Sequence, residues 1–245
     1  MFNKKEADVT FISTIPGLTQ LEDCLPKPTS KYTPDWWKSL KIDEVKKSAY
    51  DLYTGNIKHC PSFADVFSTG YVVPMWMDLY IGYDKTTGQH GTMSNSLTNI
   101  SYDPGAAKGL KNYKFLGKES SAFFKAYSPW GIITKPGISI MVLPLFFDFN
   151  PDFSVIPGII DSDKIHQLSP DIAYHSEDRE VFIKRGTPLF QVVPFRKEKL
   201  TFDVKEINEL SKSSKKIYYR NLLDHQTTLR GSNFYINKRK QASKG

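Results

Sequence analysis

The sequence predicts an α+β fold dominated by β-structure: a sandwich-type core over about 125–196, short N-terminal helices and a C-terminal helical arm. Three observations lead there. From 127 to 196, short β-branched and aromatic runs alternate with Gly, Pro and Asp turns, the spacing of a many-stranded core. The 245 residues include 13% aromatics, 15 Gly and 15 Pro, which suits short strands and tight turns better than long helices. The charge is also uneven. Residues 1–204 hold 23 Lys+Arg against 23 Asp+Glu, and residues 205–245 hold 10 against 3, so the net +7 lies wholly in the last segment. The expected organisation is one β-rich domain over 1–204, followed by a basic helical arm and flexible tail over 205–245.

Taken in order, Val9–Ser13 reads as a strand and 14–33 as an extended Pro/Ser/Thr-rich stretch. Pro34-Asp35-Trp36-Trp37 opens a helical pattern running to about Ala49, with proline at a first helical position. Pro61 to Gly70 reads as a compact helix with Phe63, Val66 and Phe67 on one face. Tyr71–Ile81 alternates as a strand, and its Pro74 places it at an edge or bulge. Residues 84–112 read as a long loop or hairpin. Strands are then expected over Ile132–Thr134, Ile138–Phe147, Val155–Ile160, Asp171–Tyr174, Glu180–Lys184 and Leu189–Phe195. Asp203-Val204-Lys205-Glu206 is a capping pattern for a helix that Ser211–Ser214 interrupts, and a second helix runs from about Lys215 to His225.

Several classes are excluded. Composition is ordinary for a globular chain, at 40% apolar and 24% charged, which rules out a disordered chain, a collagen-like fibre or a coiled-coil rod. No apolar run approaches the roughly 18–20 residues of a membrane-spanning helix, so no membrane partner is expected. The first eight residues lack the apolar stretch of a secretory signal. The two cysteines, Cys24 and Cys60, suggest no disulfide framework and a reducing, cytosolic-type compartment. Neither a GxSxG elbow nor a GxxxxGK[ST] loop is present.

The densest motif signal is Lys135-Pro136-Gly137-Ile138 through Pro144, then Pro157-Gly158-Ile159-Ile160-Asp161-Ser162-Asp163, then Lys184-Arg185-Gly186-Thr187-Pro188 through Pro194. In order and spacing it resembles the dUTPase / dCTP deaminase superfamily over about 60 of the 245 residues. The resemblance implies a β-clip-like core and a nucleotide site with Asp161, Asp163, Gln191 and Arg230 as ligand-binding residues and Mg²⁺ as companion ion. Physically, two aspartates on a turn can hold a hydroxyl, an amide or a hydrated cation, and Gln191 can present a bidentate amide. The chain departs from that family where Lys164 replaces the sugar-stacking Tyr and Leu145-Phe146-Phe147 replaces Arg-Ser-Gly after Pro144. The same segments are equally ordinary hairpin chemistry.

Over roughly residues 10–200 the chain also resembles a family found in tailed-phage genomes and some bacteria. The carrying segments include Pro34-Asp35-Trp36-Trp37-Lys38, Ile57-Lys58-His59-Cys60-Pro61-Ser62-Phe63 and Gly186 through Phe195. That resemblance implies a phage or prophage origin, with the host cytoplasm or a virion as the expected location, and brings no reaction with it.

Three further patterns carry chemistry. His175-Ser176-Glu177 with His225 has the spacing of a two-histidine, one-carboxylate Fe(II) site, and Arg230 stands where a 2-oxoglutarate carboxylate would be held. His59-Cys60 is a base–nucleophile neighbour pair, or simply a cysteine capping the next helix. Arg220, Lys238, Arg239 and Lys240 interleave with Tyr218, Tyr219, Phe234 and Tyr235, as cations and aromatics do in single-strand nucleic-acid binders. Phe146, Phe147 and Phe149 would fall on both faces of one strand, which points to self-association or contact with another phage protein. The function expected is that of a phage-type protein acting by binding or assembly, with no cofactor. The alternatives are a dUTPase-like nucleotide protein and an Fe(II)/2-oxoglutarate oxygenase.

Overall fold

The computed structural model describes residues 7–41, 46–47, 53–54, 57–94, 100–110, 120–176 and 180–227. The elements in the first third of the chain are β1 (Val9–Ser13), β2 (Lys27–Pro28), α1 (Asp35–Ser39), β3 (Lys46–Lys47), β4 (Tyr53–Thr54) and α2 (Pro61–Val66). Next come β5 (Tyr71–Pro74), β6 (Leu79–Asp84), β7 (Gln89–Ser94), β8 (Ile100–Tyr102), α3 (Pro104–Leu110), β9 (Ala122–Ala126), β10 (Trp130–Thr134) and β11 (Ile138–Leu143). The rest are β12 (Phe153–Val155), β13 (Gly158–Ile160), β14 (Asp171–Tyr174), β15 (Val181–Ile183), β16 (Pro188–Arg196) and α4 (Lys212–Thr227). The fold is α+β and dominated by β-structure. Two compact units emerge, Met1–Tyr32 with Thr69–Glu198, and Thr33–Ser68 with Lys199–Gly245.

The first unit holds four antiparallel sheets, ordered β13-β11-β16-β5-β2, β12-β14-β9-β8, β15-β6-β7 and β1-β10. Period-2 patterning sets the inner faces. Ile140 and Val142 of β11 and Phe190 and Val192 of β16 are buried with Val73, Leu79, Ile81, Phe124, Trp130 and Ile132 in one core. Each fully buried side chain of this size stabilises the fold by about 1.5–3 kcal/mol. Cys24 joins this core, and its burial pushes the thiol pKa up to about 11.

The expected strand Tyr71–Ile81 is two strands in different sheets. Met75, Trp76 and Met77 form a buried corner between them. That corner is clasped by the turn before β16: Met75 N donates to Thr187 O and Gly186 N to Met75 O, both at 2.7 Å, and Arg185 N donates to the Asp78 carboxylate at 2.8 Å. Gly186 has φ 84 there, the left-handed turn geometry that glycine supplies. Pro74 sits in the ladder opposite Pro188, where the register shifts, so the expected bulge is present. Val155–Ile160, read as one strand, is likewise two, split by Ile156-Pro157 between the four- and five-stranded sheets.

In the second unit, the helix expected to run to Ala49 stops after Ser39. Leu40 is extended at ψ 117, and Lys46–Lys47 pairs as a ladder with Tyr53–Thr54. Trp36, Trp37 and Phe67 pack together, with ring centroids 4.8–6.4 Å apart. The expected helix start at Asp203 is also displaced. Glu206 makes the capping box with Glu209 on a single 3-10 turn, Ile207–Glu209. Ser211, expected as an interruption, instead opens α4 by accepting a hydrogen bond from Ser214 N at 3.2 Å. No helix among the described residues is long and apolar enough to cross a membrane.

Candidate functional site

The Asp161 turn follows β13 and is tied down by its neighbours. Asp161 accepts from Ser139 Oγ at 2.9 Å and from Lys197 Nζ at 2.7 and 3.0 Å. The Lys197 and Ser139 bonds hold its carboxyl below the usual carboxylate range. Asp163 accepts from Gly137 N at 3.1 Å. Both aspartates therefore close the β10–β11 and β13 turns onto each other. Gln191 is fully buried and donates to Thr69 O at 2.6 Å, while its Oε1 has no hydrogen-bond partner among the described residues. The two ends of this candidate set do not converge. Ser139, beside Asp161, pairs with Phe195, and Gln191 pairs with Leu143. The four-residue offset separates them by about 13 Å along the strand. A Cβ on Gly158 would meet nothing within 4 Å among the described residues.

His175 is engaged at both ring nitrogens, Nδ1 by Ser120 Oγ at 3.3 Å and Nε2 by Ser154 Oγ. A metal on either nitrogen would have to displace a serine. Glu177, Arg230, Lys238, Arg239 and Lys240 lie outside the described residues, and so does the side chain of His225. No group of three or more His, Cys, Asp or Glu among the described residues is placed to hold a metal ion. Arg220 lies on α4 and is exposed. Cys60 is half-buried at the N-cap of α2 and makes no side-chain cap; its carbonyl accepts from Phe63 N at 3.1 Å.

The structure draws attention to a segment that the sequence misplaced. Phe146, Phe147 and Phe149, expected on both faces of one strand, lie in the turn between β11 and β12. β11 ends at Leu143 before Pro144, which has no N–H for the ladder. Phe147 and Phe149 hold φ 58 and 53, the only non-glycine residues at positive φ among those described. Left-handed backbone costs a bulky residue about 1–2 kcal/mol. Their rings nonetheless face one another at 6.2 Å, Phe149 is 71% exposed and Phe146 36%. Asn150 fixes the exit by accepting from Asp152 N and Phe153 N at 2.8 and 3.3 Å.

This turn rims a shallow, open depression lined among others by Pro144, Leu145, Asp148, Phe149 and Leu189. Asp148 is exposed, yet the protein around its carboxyl raises its pKa, and no cation or donor among the described residues offsets that cost. The floor includes Ser154, and behind it runs the Ser154–His175–Ser120 chain of hydrogen bonds. A hydroxyl beside an imidazole is the start of a nucleophile. The Asp148 carboxylate in the same depression opposes the negative charge that acyl transfer would build there. Apolar rings around an uncompensated carboxylate instead suit an apolar surface that carries a cation. No protein-family model matches the chain, and no curated protein matches it.

Proposed function

We propose that the chain is a phage-type protein that acts by binding or assembly and that it engages its partner through the Pro144–Asn150 turn. One observation carries this: Phe147 and Phe149 are held in left-handed backbone, with the Phe149 ring at the surface and Phe147 half-buried beside it. Strain of this kind persists where the surrounding structure enforces it, and it gathers at binding and switching sites. Asp148 gives the partner its character, an apolar patch bearing a lysine or arginine. The phage origin rests on the resemblance of the Trp36-Trp37 and Gly186–Phe195 segments described above.

The test is mass spectrometry of purified virions from cells making the wild-type chain or a Phe146→Ala/Phe149→Ala variant. The wild type is expected in particles or in a stable complex with a particle protein, and the variant is expected to be lost from them while its circular dichroism is unchanged. A wild-type chain found in neither ends this reading.

A second reading keeps the β-clip core and a nucleotide site. It is supported by the order of β11, the Gly158–Asp163 turn and the Gly186 turn leading into Gln191, with β11, β13 and β16 adjacent in one sheet. Calorimetry against deoxynucleoside triphosphates with Mg²⁺ decides it, and no heat at millimolar ligand rejects it.

A further inference from the structure

The segment Lys199–Lys205 follows β16 with only two residues between. Leu200, Phe202 and Val204 alternate with Thr201 and Asp203, the period of a strand with one buried face. Yet the segment joins no strand, and none of its backbone groups makes a backbone hydrogen bond to a described residue. Leu200, Phe202 and Val204 are 80%, 91% and 85% exposed. A segment with strand periodicity and an exposed apolar face, outside any sheet, is the form of a strand awaiting a sheet edge.

The five-stranded sheet offers one. Its two edges are unequally guarded. β2 carries Lys27 and Pro28, a charge and a residue without an N–H, the usual protections of an edge. β13 is Gly158-Ile159-Ile160, with neither, and its Ile159 is 61% exposed. In register with Ile159 stand the half-buried Met141 of β11 and Val193 of β16, so an apolar row crosses the sheet and stops at the open edge.

Position joins the two features. β13 and β16 both pair antiparallel with β11, so they run in the same direction and finish at the same end. There Lys197, the first residue after β16, grips Asp161, the first after β13, at 2.7 Å. The bare segment begins two residues along the chain from Lys197. Arg196-Lys197-Glu198-Lys199 holds no Gly, Pro or Asn to turn it back. A second copy related by a two-fold axis near this end satisfies both needs at once, because each segment reaches the other's β13 and the contact is made twice. Lys199 then approaches the partner's acidic Asp161–Asp163 turn. We infer that Lys199–Lys205 is an exchanged arm that adds as a sixth strand to β13 of a second copy, with Leu200, Phe202 and Val204 on the face that carries Ile159, Met141 and Val193 and Phe202 extending that row past the open edge.

The test is light scattering coupled to size-exclusion chromatography of the full chain, over a wide range of concentration. The wild type is expected at twice the 28.0 kDa chain mass. Phe202→Asp on the arm and Ile159→Lys on the edge are each expected to halve the measured mass with circular dichroism unchanged, since both side chains are exposed. A Phe202→Cys/Ile159→Cys double variant is expected to form disulfide-linked dimers on mild oxidation. A wild-type monomer at every concentration overturns the inference, and so does a dimer that survives both charged variants. The Phe146→Ala/Phe149→Ala variant keeps the dimer, so failure of the arm and failure of the aromatic turn are read separately.

Discussion

A methyl group on Gly70 would sit 2.2 Å from the carbonyl oxygen of Val192, on a backbone already at φ 73. Gly137 has nearly the same torsion, φ 78, but nothing lies within 4 Å of its Cβ position. The pair separates torsional strain from collision. Gly137→Ala is expected to cost about 1 kcal/mol from the left-handed torsion alone. Gly70→Ala is expected to cost about 3 kcal/mol or more, because β16 or the turn into β5 must also move. Urea unfolding of the two variants side by side measures the difference. A second prediction at this scale concerns Asp148. Its pKa is raised in the folded state by the protein around it. A group of that sign binds its proton more tightly when folded, so it lowers stability as pH rises through the ordinary carboxylate pKa towards the raised one. Asp148→Asn is therefore expected to raise the melting temperature at neutral pH and to leave it unchanged at about pH 3, where the wild-type carboxyl is protonated in both states. An equal gain at both pH values would trace the effect to packing rather than to charge.

At the scale of the element, most β-strands were legible because their period of two survives in short runs: Val9–Ser13 and Asp171–Tyr174 form as expected, residue for residue. Breaks between strands were not. Met75-Trp76-Met77 is as apolar as the strands around it, so nothing in the pattern announces a corner, and only the clasp by Gly186 and Thr187 makes one. The Trp36–Ala49 pattern has helical apolar spacing, yet it yields five residues of helix because Leu40 turns extended. The candidate site was less legible still. Asp161, Asp163 and Gln191 were found by their residue types, but pairing with Lys197, Gly137 N and Thr69 O is a tertiary fact. The aromatic turn was misread because three phenylalanines near an apolar strand look like its continuation, and no composition signals a left-handed phenylalanine. That geometry makes its own prediction. At an ordinary loop position, Phe→Gly lowers stability, but at Phe149, with φ 53 and a ring 71% exposed, relief of strain offsets what the ring contributes. Phe149→Gly is expected to leave stability unchanged or to raise it by up to about 1 kcal/mol, while it abolishes partner binding. A loss of more than about 1 kcal/mol in thermal unfolding would mean that the ring is structural.

For the whole molecule, the +7 resolves into a balanced body of 204 residues and a basic final 41. The described part of that segment fits its charge. Over 212–220 α4 is exposed nearly all round, with Ile217 61%, Tyr218 50% and Tyr219 49% exposed beside Lys212, Lys216 and Arg220. Aromatic faces interleaved with cations can stack on bases while the cations meet phosphates, and the same helix would attract any acidic surface. Deleting residues 231–245 tests the charge without touching α4. It removes Lys238, Arg239, Lys240 and Lys244, taking the net charge from +7 to +3. Because each neutralised phosphate of a single strand contributes about 0.7 to the slope of log affinity against log salt, loss of four cations is expected to lower that slope by up to about 3. Fluorescence anisotropy with single-stranded DNA across a salt series reads the slope directly. Tyr218→Ala/Tyr219→Ala is expected to weaken binding at every salt concentration and leave the slope alone, since stacking releases no counterions. If the truncation changes neither affinity nor slope, the last fifteen residues are solvated tail, and any polyanion contact belongs to α4 alone.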